Sequence, residues 1–134
     1  MIAQVTYQGN LRTEATHIQS GNVILTDAPI DNHGKGEGFS PTDLASTSLA
    51  SCILTIMGIV AERHDTDISG TSADVNKIMD SNPRRIKKIE IIITMPNRDY
   101  NSKQKKLIEH AAHHCPVGLS LHPNTEEDLS LIHI

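Results

Sequence analysis

Apolar and polar positions alternate at the start of this chain. Ala3, Val5 and Tyr7 are separated by Gln4 and Thr6, the period-two signature of a half-buried strand. Gly9-Asn10 turns the chain into Leu11 to Ile18, and Ser20-Gly21-Asn22 turns it again into Val23 to Thr26. A three-strand meander with short connections is predicted. Past Pro29, the stretch Asp31 to Gly38 holds too much glycine for a regular element and reads as a loop.

The periodicity then changes. Ser40-Pro41-Thr42-Asp43 is a helix start: Ser40 can cap, Pro41 suits the first helical position, and Asp43 can reach back as a capping-box acid. The helix is predicted to run to Arg63 or His64. Its first half is rich in small residues, and Ile53 to Val60 is apolar around most of its circumference, so it should be buried within the molecule or a dimer. Two alternating strands follow, one through Ala73, Val75, Lys77 and Met79, the other through Ile89, Ile91, Ile93 and Met95. Asn82-Pro83 separates them and Pro96 ends the second. Ser102 is predicted to cap a second helix through His114. Cys115-Pro116 interrupts it, and a short helix from Pro116 to Leu121 and a strand near Leu129 to Ile134 complete the chain. The order βββ-α-ββ-α-β defines an α+β class without the alternation of a Rossmann-type sheet. Residues 1–134 are expected to form one domain, the usual reading of a chain this long.

Composition narrows the function. One Phe, two Tyr and no Trp leave no aromatic platform for stacking bases, and a net charge of -4 gives no basic footprint, so nucleic-acid binding is not expected. The N-terminus lacks the cationic and apolar regions of a secretory signal. The apolar run from Ile53 to Ala61 reads as too short for a bilayer, so no membrane partner is expected. Two cysteines are too few for a disulfide framework and suit a reducing, cytoplasmic setting.

Those two cysteines are the sharpest chemical candidates. Cys115 precedes Pro116 at a helix start, where unpaired N–H groups and the helix dipole favour a thiolate. Cys52 lies among small side chains where a second group can reach it. The plainer alternative is that both are buried small hydrophobes. His110, His114, Cys115 and His122 could form a zinc site, but no ligand frame supports it, and neither a metal nor a cofactor is expected. His114 or His122 could instead serve Cys115 as a base. The loop His33 to Gly38 lacks the phosphate-loop frame, and the basic run Arg84-Arg85 and Lys87-Lys88 reads as a solvated turn.

The stretch Phe39-Ser-Pro-Thr-Asp-Leu44, the following Leu49-Ala-Ser-Cys52, and Cys115-Pro-Val117 sixty-three positions after Cys52 together resemble the OsmC/Ohr family. The resemblance implies a thiol-dependent peroxidase fold, with antiparallel sheets wrapped around two central helices in an intertwined homodimer. It implies that Cys52 is the peroxidatic cysteine and Cys115 the resolving one, with an organic hydroperoxide as substrate and a dithiol as reductant. Ile53, Ile56, Met57 and Phe39 would supply an apolar pocket. The family's peroxidases also keep a glutamate directly after the helix-start proline, paired with an arginine from an early strand. Here that position is Thr42, with Asp43 one residue further, and Arg12 is the candidate arginine. The departure leaves a second reading open, a non-catalytic small-ligand-binding dimer of the same fold.

Overall fold

The computed structural model describes residues 1–133, and it divides into two compact units, Met1–Ala45 and the chain from Ser46 onward. The predicted meander occupies the first. Strands β1 (Ala3–Gly9), β2 (Arg12–His17) and β3 (Val23–Asp27) form an antiparallel sheet in that order. Gly9, Asn10 and Leu11 all take positive φ in the first turn, a conformation that costs glycine nothing and other residues more. Val5 pairs with Ala15 and Ala15 with Ile24, so these residues share one face of the sheet, and Val5 and Ile24 stay exposed. The glycine-rich stretch opens with a single 3-10 turn, Ile30–Asn32, which its composition did not announce.

Helix α1 (Pro41–Arg63) starts and stops where its sequence signals place it. Ser46, Leu49, Ala50, Ile53, Met57 and Ala61 are its buried residues, a stripe at helical spacing rather than the full circumference. Ile59 remains exposed, and Cys52, Ile56 and Val60 are half-buried. The helix is also longer and more apolar than the run Ile53 to Ala61 indicated. Over eighteen residues its mean hydropathy is 1.9, so by length and composition alone it could cross a bilayer. Small residues of its first half, individually unremarked as apolar, make up the difference. Its buried stripe nonetheless packs in a core with the second sheet.

That sheet contains β4 (Ser72–Ser81), β5 (Arg84–Thr94) and β6 (Glu126–Ile132), in that order. Ile89, Ile91 and Ile93 of β5 join Leu49, Ile53, Met57, Ile108, Ala111, Ala112 and Cys115 in the core. The pattern and the family resemblance anticipated these strands but differ from the structure in three features: the basic run, the start of β6 and the antiparallel pairing that the resemblance implied. Arg84, Arg85, Lys87 and Lys88 lie inside β5, not in a turn, because the ladder to β4 extends to Ser81–Arg84; Lys88 Nζ is 3.4 Å from Asp128, and Arg85 donates to Thr125 Oγ1 at 3.2 Å. Strand β6 begins three residues earlier than expected, since its ladder to β5 starts at Glu126; the predicted end, Ile134, lies outside the described residues. And β6 runs parallel to β5, whereas the other strand pairs are antiparallel.

The connection between β5 and β6 carries α2 (Ser102–Ala112) and α3 (Pro116–Ser120). The cap of α2 is Asn101, not Ser102: the Asn101 side chain accepts from Gln104 N–H and Gln104 reaches back to the Asn101 N–H, both at 2.8 Å. The helix stops at Ala112, two residues short of His114. Its last N–H groups, from His113 and His114, bond three residues back to His110 and Ala111, tightening the exit before Cys115-Pro116.

Candidate active site

In the second unit, α1 and α3 bring the two cysteines together. Cys52 is half-buried in the middle of α1, and Cys115, 3% exposed, caps α3. Pro116 fixes the first helical residue of α3 and leaves Cys115 in an extended conformation, so its Sγ turns back and accepts the Gly118 N–H at 3.2 Å. Cys52 neighbours Cys115 and packs against the core that contains it. Both are unbridged thiols.

The helix start does not make Cys115 a ready thiolate. Burial pushes its pKa up, the Gly118 N–H pulls against that, and the neighbouring Cys52 and the Glu127 carboxylate push it further up. Desolvation outweighs one capping hydrogen bond, so burial holds Cys115 as the thiol. No histidine is among the groups that act on the Cys115 thiol. His114 Nδ1 bonds the His110 carbonyl at 2.8 Å and the two rings stack with centroids 4.3 Å apart, while His122 Nδ1 accepts from Asn124 N–H. Among the described residues no three His, Cys, Asp or Glu side chains converge to hold a metal.

Ile53 and Met57 are fully buried core residues and cannot line an open pocket in this chain, and Phe39 lies half-exposed in the first unit. Helical spacing alone could not tell the buried stripe of α1 from a pocket wall.

The first unit holds Arg12, Thr42 and Asp43. Asp43 is the capping acid: its Oδ2 accepts the Ser40 N–H and its own N–H donates to Ser40 Oγ, both at 3.0 Å. Thr42 Oγ1 lies 3.2 Å from Ser40 Oγ. Arg12 pairs elsewhere. Its Nε and one terminal nitrogen grip Asp27 as a fork, at 2.7 and 3.0 Å, and the same terminal nitrogen holds Glu37 at 3.0 Å. Asp27 is 2% exposed, and the guanidinium holds its carboxyl below the usual range. Neither acid was singled out from the sequence. The β2–β3 register, which puts Arg12 opposite Asp27, was the available signal for one of them; Glu37, alone in a glycine loop, offered none. Glu127 and Gly118, both beside Cys115, were also missed.

A meander, a long small-residue helix bearing one thiol, and a second thiol carried back against it by a crossover define a protein of the OsmC-like α+β class. The chain belongs to the OsmC family, whose model, described as OsmC-like protein, matches residues 34–130. A solved structure from Psychrobacter arcticus 273-4, named for osmotic stress induction and a detoxification response, is 50% identical, covers 98% of this chain and 96% of its own, and superposes with a TM-score of 0.93. An organic hydroperoxide resistance protein OsmC from Legionella pneumophila shares the fold at 16% identity, over 97% and 94% of the two chains, with a TM-score of 0.75. OhrB of Bacillus subtilis, also an organic hydroperoxide resistance protein, does so at 20% identity, over 98% of each chain, with a TM-score of 0.66. No curated protein sequence matches the chain.

Proposed function

We propose that this chain is a cytoplasmic, homodimeric thiol peroxidase, a single OsmC-like domain that reduces organic hydroperoxides at the expense of a dithiol. One observation carries the reading: two thiols sixty-three positions apart in sequence are neighbours in the fold. The names of the Legionella and Bacillus relatives support the substrate class. Cys52, the more accessible sulfur, attacks the terminal peroxide oxygen as a thiolate. The O–O bond breaks, the alkoxide leaves and takes a proton to become the alcohol, and Cys52 becomes a sulfenic acid. The Cys115 sulfur then displaces the hydroxyl, which leaves as water, and forms the disulfide; an external dithiol is oxidised as it restores both thiols. Arg12 keeps carboxylate partners although Thr42 stands in the family glutamate's place, and we assign that pairing to Asp27 and Glu37.

The second reading, a ligand-binding dimer without turnover, draws on Thr42. Peroxide consumption with dithiothreitol, comparing cumene hydroperoxide with hydrogen peroxide, separates the two. The peroxidase reading expects faster turnover of the organic peroxide, complete loss in Cys52→Ser, and sulfenic or sulfinic Cys52 accumulating in Cys115→Ser. Two thiols that stay reduced under cumene hydroperoxide would leave the binding reading in its place.

A further inference from the structure

Disulfide formation needs the Cys115 proton to go somewhere. The protein buries that thiol in a core that includes Ile108 and Ala111, and no histidine is among the groups that act on it. One carboxylate is at hand. Position 127 is opposite Ile89 in the β5–β6 ladder, just as Leu129 is opposite Ile91 and Leu131 opposite Ile93. Paired residues share a face, so Glu127 occupies the first position of the core-facing row that Leu129 and Leu131 continue. Glu126 and Asp128 lie on the opposite face, and Glu127, itself exposed at the start of the row, is an acid in phase with its leucines.

Gly118 makes room for it. A Cβ on Gly118 would sit 2.8 Å from Glu127 Oε1 and 3.3 Å from Cys115 Sγ. Both distances are measured from one point, so the carboxylate oxygen and the sulfur are separated by no more than their sum, a gap a single water or a side-chain rotation closes. The residue that donates its N–H to the resolving sulfur is thus also the one whose missing side chain admits the carboxylate.

We propose that Glu127 takes the proton from the Cys115 thiol as the disulfide forms. The proposal rests on the peroxidase reading above. As the Cys115 sulfur bonds to the sulfur of the Cys52 sulfenic acid, its proton passes to the Glu127 carboxylate, the S–O bond breaks, and the departing hydroxide takes that proton to leave as water. The net change is one sulfenic acid and one thiol to one disulfide and one water, with no other reactant. An inward acid on an edge strand can also serve to discourage edge-to-edge pairing. Such a role would leave the kinetics untouched, which gives the test its discrimination.

The test is a single turnover of the full-length protein with one equivalent of cumene hydroperoxide, quenched at intervals and read by mass spectrometry as sulfenic acid and Cys52–Cys115 disulfide. Glu127→Gln is expected to slow conversion of sulfenic acid to disulfide by about 100-fold relative to Cys52 oxidation in the same variant. It should also move the pH dependence of that conversion upward, since Cys115 must then ionise unaided. The titratable groups facing Cys115 are Cys52 from α1 and Glu127 from β6, and only the second is changed. Glu127→Asp should recover part of the rate. Gly118→Ala leaves both thiols and the carboxylate in the sequence but pushes the flexible Glu127 side chain away, and should slow the same step. If Glu127→Gln forms the disulfide at the wild-type rate with the wild-type pH profile, the proposal is overturned and the peroxidase reading stands. If wild-type protein forms neither sulfenic acid nor disulfide, both fall together.

Discussion

Asp27 is the residue on which the first unit's electrostatics turn. It is a buried carboxylate whose charge is matched by a two-pronged guanidinium, and removing Arg12 would strand that charge. Because Arg12 lowers the folded-state pKa of Asp27, the pair stabilises the fold above the ordinary aspartate range, and the contribution disappears as pH falls through the lowered value. Urea melts from about pH 6 down to about pH 2 are expected to show wild-type stability falling with acid, and Asp27→Asn to flatten that dependence while lowering stability at neutral pH. A variant with the wild-type pH slope would mean that the pair contributes nothing to it. The partners of Arg12 also mark where single-residue reasoning stops. An arginine's charge is visible in the sequence, but which acid reaches it depends on strand register and on a loop folding back twenty-five residues later.

Among the elements, helix starts were the most legible, because their signals lie within four residues. Ser40, Pro41 and Asp43 form the capping box their spacing announced. The geometry therefore gives Asp43 a structural task. Asp43→Ala is expected to cost about 1 kcal/mol in stability and to leave Cys52 oxidation by cumene hydroperoxide within a few-fold of wild type; loss of Cys52 oxidation in a stably folded variant would return Asp43 to the chemistry. Strand direction was far less legible. Alternation identifies which face of β6 is buried but is identical for parallel and antiparallel neighbours, so the β5–β6 pairing could come only from the crossover through α2 and α3. The same alternation did contain an unread signal. Glu127 shares the parity of Leu129 and Leu131, and a charge in phase with these half-buried leucines stands out once the strand is extended back to Glu126.

At the scale of the whole molecule, the apolar residues left exposed on each unit are what motivate the expectation of a partner. Val5, Tyr7 and Ile24 on the first sheet and Ile59 on α1 are all exposed. A second copy is the expected cover, and sedimentation at micromolar concentration should give twice the 14.7 kDa of one chain; a stable monomer would remove that expectation. The thiol pair also has a topological meaning. Cys52 and Cys115 bracket β4, β5 and α2, so a bond between them would close a ring containing nearly half of the chain. By chain-entropy reasoning such a closure is worth about 4 kcal/mol, or a melting temperature higher by on the order of 10 °C. Equal melting of peroxide-treated and dithiol-reduced protein would show that no such ring forms. With the ring, the oxidised protein would be the tougher of the two forms, and a population held oxidised by a shortage of reductant would outlast a reduced one when proteases or heat are applied.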